Sequence, residues 1–301
     1  MPPFIVKVPA TSANMGPGFD CLALALDVWN TLTIQDADGL ELDVRGLGEG
    51  ELPTGSENLV AKSFARVFDL LAVPVPGAKL ICDNRIPLGR GLGSSSAAAV
   101  AGIVAGNELM GRPLTDTQML SLAIELEGHP DNASAALLGG CQIIVGDGDE
   151  LVTSSVRIPD GLTAVLFIPD VPMPTRTARS ILPSKVPMSD AVFNAGRTAL
   201  LVNSLARGDL AQLAVATQDK LHQPVRQEIF HPMRVIIQAA LDAGALGAFL
   251  SGAGSSILAL CEGREMTIGY EMAEAGSKSG VGGDVIVTHP TLSGAFVEAA
   301  G

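Results

Sequence analysis

Apolar and polar positions along this chain switch repeatedly between a period of two and a period near 3.6, the pattern of strands interleaved with helices. Residues 4–8 and 40–44 alternate in strand fashion, and 29–35 is rich in β-prone side chains. Across 57–72 the apolar residues Leu59, Phe64, Val67, Phe68 and Leu71 share one helical face, with Pro74 just beyond the end. A strand at 79–82 then leads into a glycine-rich stretch. Helices are predicted at 94–110, 115–127 and 132–138, followed by a strand at 141–145.

The second half opens with strands at 151–158 and 163–168. Helical patterns follow at 191–206, 209–217 and 233–243. Short apolar runs at 248–250 and 256–260, a helix at 265–275 and a strand at 284–287 complete it. No internal repeat or low-complexity linker interrupts the series. The order predicts an α+β protein with helices layered on mixed sheets. A soft boundary falls near Ser155, by the acidic G-D-G-D-E stretch at 146–150, dividing the chain into 1–155 and 156–301.

The segment richest in chemistry is I-P-L-G-R-G-L-G-S-S-S-A-A-A at 86–99, where three glycines and three serines fall within eight residues. So few side chains let the backbone approach a ligand, and the helix that follows turns its free N–H groups and positive dipole end toward it. That combination holds phosphate. The spacing matches neither familiar phosphate loop. No Gly-Lys-Ser or Gly-Lys-Thr occurs in the chain, and serine follows where a dinucleotide fingerprint needs its third glycine.

Composition narrows the partners. With 301 residues, 47% of them hydrophobic, the chain can bury a substantial core. A net charge of −13 and the lack of a basic run disfavour nucleic acid and anionic membrane, so a polyanionic substrate needs local cations and metal. Trp29 and Tyr270 are the only residues of their kinds, leaving no stacking platform for bases. Cys21, Cys82, Cys141 and Cys261 are widely spaced and read as buried free thiols. The chain starts on a strand-like F-I-V-K-V and has no apolar run of membrane-spanning length, so a cytoplasmic location is expected.

P-x-x-x-G-L-G-S-S-x-A, starting at Pro87, resembles the second motif of the GHMP kinases, the family of galactokinase, homoserine kinase, mevalonate kinase and phosphomevalonate kinase. V-P-A-T-S-A-N-M-G-P-G-F-D-C-L-A-L-A-L at 8–26 resembles the first motif. L-S-G-A-G-S-S-I-L-A-L at 250–260 resembles the third, with Ser255 and Ser256 where proline or threonine is usual. E-L-E-G-H-P-D-N-A-S-A-A-L-L-G-G at 125–140, T-R-T-A-R-S-I-L-P at 175–183 and H-Q-P-V-R-Q at 222–227 resemble the homoserine kinase branch.

This resemblance implies a two-domain fold: an N-terminal domain with a left-handed β-α-β unit, a ferredoxin-like C-terminal domain, and an active site between them. It implies ATP-dependent, Mg2+-dependent phosphorylation of L-homoserine on the route to threonine, often by a homodimer. The alternatives are a kinase for another small alcohol and a non-catalytic nucleotide-binding regulator. The ATP loop would comprise Pro87, Leu88, Gly89, Arg90, Gly91, Leu92, Gly93, Ser94, Ser95, Ser96 and Ala97. Ser95 resembles the serine that meets magnesium, and its neighbours Ser94 and Ser96 are equally suited to capping the helix.

Aligning E-L-E-G favours Glu125 as the metal carboxylate, with Glu127 as the rival; residues two apart face different sides of a helix, so only one should reach. By the same resemblance Asn14 and Asp20 handle the amino and hydroxyl end of the acceptor. Arg179 and Arg226 clamp its carboxylate, with His129 and Gly252 close by, and Thr175 and Arg176 position Arg179. Asp131 resembles the general base of mevalonate kinases, whereas Asn132 would lie near the transferring phosphate. The expected chemistry is direct in-line transfer with weak or no base assistance.

Overall fold

The computed structural model describes residues 2–146 and 150–300. Its first half begins with two long strands, β1 (Phe4–Ala13) and β2 (Leu22–Asp36), paired antiparallel with one shift of register between Pro9 and Ala10. β3 (Leu40–Gly46) is followed by α1 (Leu59–Leu70), whose first turn is capped by Asn58 accepting from the Val60 amide at 2.9 Å. β4 (Ala78–Asn84) then lies parallel to β3, so β3, α1 and β4 form a β-α-β unit.

α2 (Ser94–Leu109) is buried nearly all round, as its small, apolar sequence demands. Gly102 lets α1 approach it closely, since a Cβ there would come within 2.1 Å of Ser63 Oγ. α3 (Asp116–Glu127) starts in a capping box between Thr115 and Gln118 and stops at Gly128, φ +78°. α4 (Asp131–Leu138), β5 (Cys141–Val145) and β6 (Val152–Val156) complete this half.

The second half contains β7 (Thr163–Pro169), α5 (Thr175–Ser180) and α6 (Met188–Arg207). A 3-10 turn at 210–212 and the short helices α7 (Leu213–Ala216) and α8 (Gln223–Arg226) precede α9 (Met233–Asp242). β8 (Gly247–Leu250), β9 (Ile257–Cys261), α10 (Glu265–Lys278), β10 (Gly283–Thr288) and β11 (Phe296–Ala299) follow.

The four-stranded sheet has the order β10-β7-β9-β8 with every pair antiparallel, the fourth-first-third-second order of a ferredoxin-like unit. The larger sheet runs β11-β1-β2-β4-β3, with β5 on β2 and β6 on β5. Thus the chain changes sheets between β6 and β7, then returns at its far end to pair β11 with β1. Residues 147–149 of the acidic boundary stretch lie outside the described residues.

All seven residues of β7 are buried. Ala164, Leu166 and Ile168 join the core shared with the larger sheet, while Val165 and Phe167 pack into a second cluster with Ile236, Ile257 and Met272. The two units are therefore welded across an apolar face. The expected elements recur with shifted ends. β1 extends through the first motif to Ala13, and the expected 209–217 helix splits into a 3-10 turn and α7. α5, α8 and β11 were not expected, because four to six residues are too short to establish a period.

Candidate active site

The three motifs converge where the units meet. Thr11 N donates to Leu92 O at 3.1 Å, Ser251 Oγ donates to Gly91 O at 2.7 Å, and Ser256 N donates to Arg90 O at 3.1 Å. Gly89, Gly91 and Gly93 take φ values of +63°, +74° and +70°. At Gly91 the contact itself forbids a side chain, since a Cβ would lie 2.1 Å from Ser251 O.

α2 springs from Gly93 with no side-chain cap. Ser94 and Ser96 therefore do not cap it, contrary to the alternative drawn from sequence: Gly93 occupies the cap position, and Ser96 Oγ instead donates to Glu127 at 2.8 Å. The first-turn N–H groups, which have no acceptor within a helix, stay available to a ligand.

The resulting cavity, about 570 Å³, is lined by the loop glycines, Ser94, Ser95, Ser96, Asn14, Glu127, His129, Asp131, Asn132, Thr175, Arg179, Arg226, Gly252 and Ala253. Other expected loop residues point elsewhere. Leu92 and Ala97 are core residues, and Leu88 faces a neighbouring cleft. The Arg90 guanidinium donates to the carbonyls of Pro169 at 2.7 Å and Asp170 at 2.6 Å, tying the loop to the segment leading to α5. Pro87 precedes the turn and is absent from the lining.

Of the two glutamates, Glu127 is the one at the loop. Ser95 and Ser96 both donate to its carboxylate. Glu125, which the alignment favours, pairs with Arg66 at 3.1 Å on the outside of the protein. Two residues along a helix rotate the side chain by about 200°, so α3 can offer only one of them.

Arg179 lines the cavity away from the loop, and Asp20, which is not part of the lining, accepts from both of its terminal nitrogens. Asn14 Oδ1 accepts from the Asp20 amide at 3.0 Å, and its Nδ2 donates to Gly252 O at 2.8 Å. Asn14, Met15 and Asp20 have φ of +67°, +46° and +57°, a cluster of left-handed non-glycine residues that the surrounding bonds must hold in place. Arg226 donates to the same Gly252 carbonyl at 2.9 Å. Phe19 lies beneath both guanidiniums, 5.7 Å from Arg179 and 5.5 Å from Arg226.

Between the two ends, Asn132 Oδ1 accepts from Thr11 Oγ1 at 2.7 Å. Asp131 is buried and accepts from the Asn132 amide at 2.7 Å, with His129 Nδ1 at 3.4 Å, an ion-pair distance without hydrogen-bond geometry. His129 does not cap α4, which begins at Pro130 without a side-chain cap.

Burial opposes charge on His129, but Asp131 outweighs it and raises its pKa. Arg179 likewise pays desolvation that Asp20 more than offsets, leaving its pKa raised. Arg226 goes the other way: burial, reinforced by the charge of Arg179, pushes it down to about 10. Cys21 stays a thiol, raised by burial and by Asp131 and Asp20.

Beside the loop opens a mainly apolar cleft of about 890 Å³, lined by Val44, Leu52, Pro53, Leu59, Val60, Cys82, Leu88 and Ala98. Its residues come from β2, β3, α1, β4, α2 and the intervening loops, so no local pattern could have revealed it. Thr11, Phe19 and His222 were also missed as site residues, although all three lie inside the segments that carry the resemblance.

The chain matches the GHMP kinases N terminal domain over residues 58–140 and the GHMP kinases C terminal domain over 201–278. It belongs to the GHMP kinase family. Homoserine kinase of Moorella thermoacetica is 42% identical over 293 residues, covering 97% of this chain and 99% of that protein. Homoserine kinase of Gloeobacter violaceus is 46% identical over 259 residues, 85% and 86% of the two chains. The crystal structure of homoserine kinase from Cytophaga hutchinsonii superposes with a TM-score of 0.89 at 33% identity, covering 99% of this chain and 98% of that one.

Proposed function

We propose that this protein phosphorylates L-homoserine with ATP, giving O-phospho-L-homoserine and ADP. The observation that carries the reading is a single cavity lined both by a side-chain-poor anion cradle and by Arg179 and Arg226, with the Asp20 carboxylate held directly against Arg179. A free amino acid offers the complementary ammonium and carboxylate. Mevalonate and shikimate have no ammonium for Asp20. Relatives at 40–46% identity bearing the name homoserine kinase support the same acceptor.

In this reading the amides of 89–96 hold the phosphates and the apolar cleft takes the adenine. Glu127 with the Ser95 hydroxyl fits Mg2+, which favours oxygen ligands and retains water; bound there it would neutralise charge on the β and γ phosphates. Asp20 binds the acceptor's ammonium, Arg179 and Arg226 its carboxylate, and Asn14 and His129 flank it. Asn132 lies near the transferring group. Asp131 already accepts the Asn132 amide and faces His129, so it is committed to positioning rather than proton removal. Transfer is then direct and in line, driven by orientation and charge neutralisation.

In this reading a nucleotide-binding unit runs through the end of β6 at Val156, just past the 155/156 division expected from sequence, and is followed by a ferredoxin-like unit, with β11 completing the first sheet. The same reading makes the protein a cytoplasmic homodimer on the route to threonine, without nucleic-acid or membrane partners. Among the described residues no helix is long and apolar enough to cross a membrane.

The test is ADP release with ATP and Mg2+, comparing L-homoserine, L-serine, mevalonate and shikimate. Selective turnover of L-homoserine is expected. Turnover of another alcohol instead, or ATP binding without turnover of any, would overturn the assignment.

A further inference from the structure

Arg226 heads the large, fully buried side chains at 1% exposure, yet its hydrogen bonds all go to neutral acceptors. Nη1 donates to Gly252 O at 2.9 Å and to His222 Nδ1 at 2.9 Å, and Nε makes a longer contact of 3.5 Å with Ala178 O. A guanidinium so placed is expensive to bury, and its orientation depends on whatever fixes those acceptors.

His222 is itself fixed from every side. A guanidinium can only donate, so Nδ1 must accept, leaving the ring proton on Nε2, which donates to Gly16 O at 2.8 Å. Phe19 stacks on the ring at 5.3 Å. The backbone is anchored by Asp219, whose Oδ2 accepts from the amides of His222 at 3.0 Å and Gln223 at 2.7 Å. Burial pushes the His222 pKa down to about 4, with Arg226 acting in the same direction against Asp219. The neutral ring keeps its acceptor lone pair at physiological pH.

Gly16 is closely packed in turn, since a Cβ there would lie 2.2 Å from Thr217 O. The imidazole thus bridges the first motif's loop to the arginine that lines the acceptor cavity.

We infer that His222 is a positioning residue: its Nδ1 aims the Arg226 guanidinium into the acceptor cavity and thereby sets the affinity for the substrate carboxylate. This rests on the functional reading above. It assigns to the histidine of H-Q-P-V-R a task distinct from binding, because no ring atom is left over for a ligand.

Two isosteric variants separate the bonds. His222→Asn puts a carbonyl oxygen near the Nδ1 position and gives up the Gly16 contact. His222→Gln puts an amide nitrogen near Nε2 and gives up the acceptor. Steady-state kinetics should show that His222→Gln raises the KM for L-homoserine about tenfold or more, the scale of a lost hydrogen bond to a charged group, with the KM for ATP unchanged. His222→Asn should stay within about threefold of the unmutated enzyme.

In an Arg226→Lys background, His222→Gln should add no more than about twofold, because the group it acts through is gone. Equal impairment by both variants, a parallel rise in the KM for ATP, or multiplicative effects in the double variant would overturn the inference. Should His222→Gln fail to fold, His222→Ala takes its place: a rise of about tenfold in the KM for L-homoserine with His222→Asn near normal supports the role, and equal values for the two remove it. Failure of the functional reading is visible separately, as lack of L-homoserine turnover by the unmutated enzyme.

Discussion

Asp20 and Arg179, 159 positions apart in the chain, are joined by two parallel hydrogen bonds of 2.9 and 2.6 Å across the seam between the units. The acid and the base proposed to grip opposite ends of the acceptor thus pair with each other. An incoming amino acid can exchange one internal pair for two external ones, an ammonium on Asp20 and a carboxylate on Arg179, without stranding either charge.

Removing one partner should therefore hurt acceptor binding selectively. Asp20→Asn is expected to lower kcat/KM for L-homoserine by about 10- to 100-fold, the value of hydrogen bonds to charged groups, with little change in the KM for ATP. Kinetics at varied concentrations of each substrate check this; equal effects on both substrates would count against the assignment.

The two glutamates of α3 give an internal control. Glu127→Gln should reduce kcat/KM by about 100-fold or more and raise the Mg2+ concentration needed for half-maximal rate. Glu125→Gln, which removes only the exposed pair with Arg66, should leave the rate within about twofold. A magnesium titration of both variants separates the outcomes.

Two loop glycines share a left-handed backbone but not their surroundings. Gly89→Ala meets only Pro172 Cβ at 3.8 Å, whereas Gly91→Ala meets Ser251 O at 2.1 Å. Gly89→Ala should cost about 1 kcal/mol of backbone strain. Gly91→Ala should cost more and also weaken ATP binding, since backbone rather than a flexible side chain must move. Thermal melts and nucleotide titration give the comparison.

The buried His222 fixes the sign of one pH effect. Its folded pKa, about 4, lies below its ordinary value of 6.5, so within that window the unfolded chain binds a proton that the folded chain refuses. Its contribution to stability is present above pH 6.5 and is lost as the pH falls toward 4. His129, with a raised pKa, contributes in the opposite sense: its share is lost as the pH rises through that raised value. Denaturant midpoints measured from pH 7 to 4 should accordingly fall less steeply for His222→Asn than for the unmutated protein.

The elements that carry the active site were legible along the chain because they depend on periods and on residue types a few positions apart. The apolar face of α1, the span of α3 and the glycine loop opening α2 are all local features. Even the loop's chemistry was local, since bare backbone and a helix N-terminus together make an anion cradle. By the same token, α5, α8 and β11 escaped notice: each is short and stands because of what packs on it.

What only the tertiary structure decided was which side chains share a space. Sequence left Glu125 and Glu127 as rivals; the rotation of α3 against α2 brought Glu127 to Ser95 and Ser96 and left Glu125 outside with Arg66. It joined Asp20 to Arg179, set His222 behind Arg226, and assembled the apolar cleft from five separate elements and their loops. The reason is physical. Periodicity and residue type determine local conformation, whereas register, helix rotation and the contact of two sheets are determined by packing between segments remote in sequence.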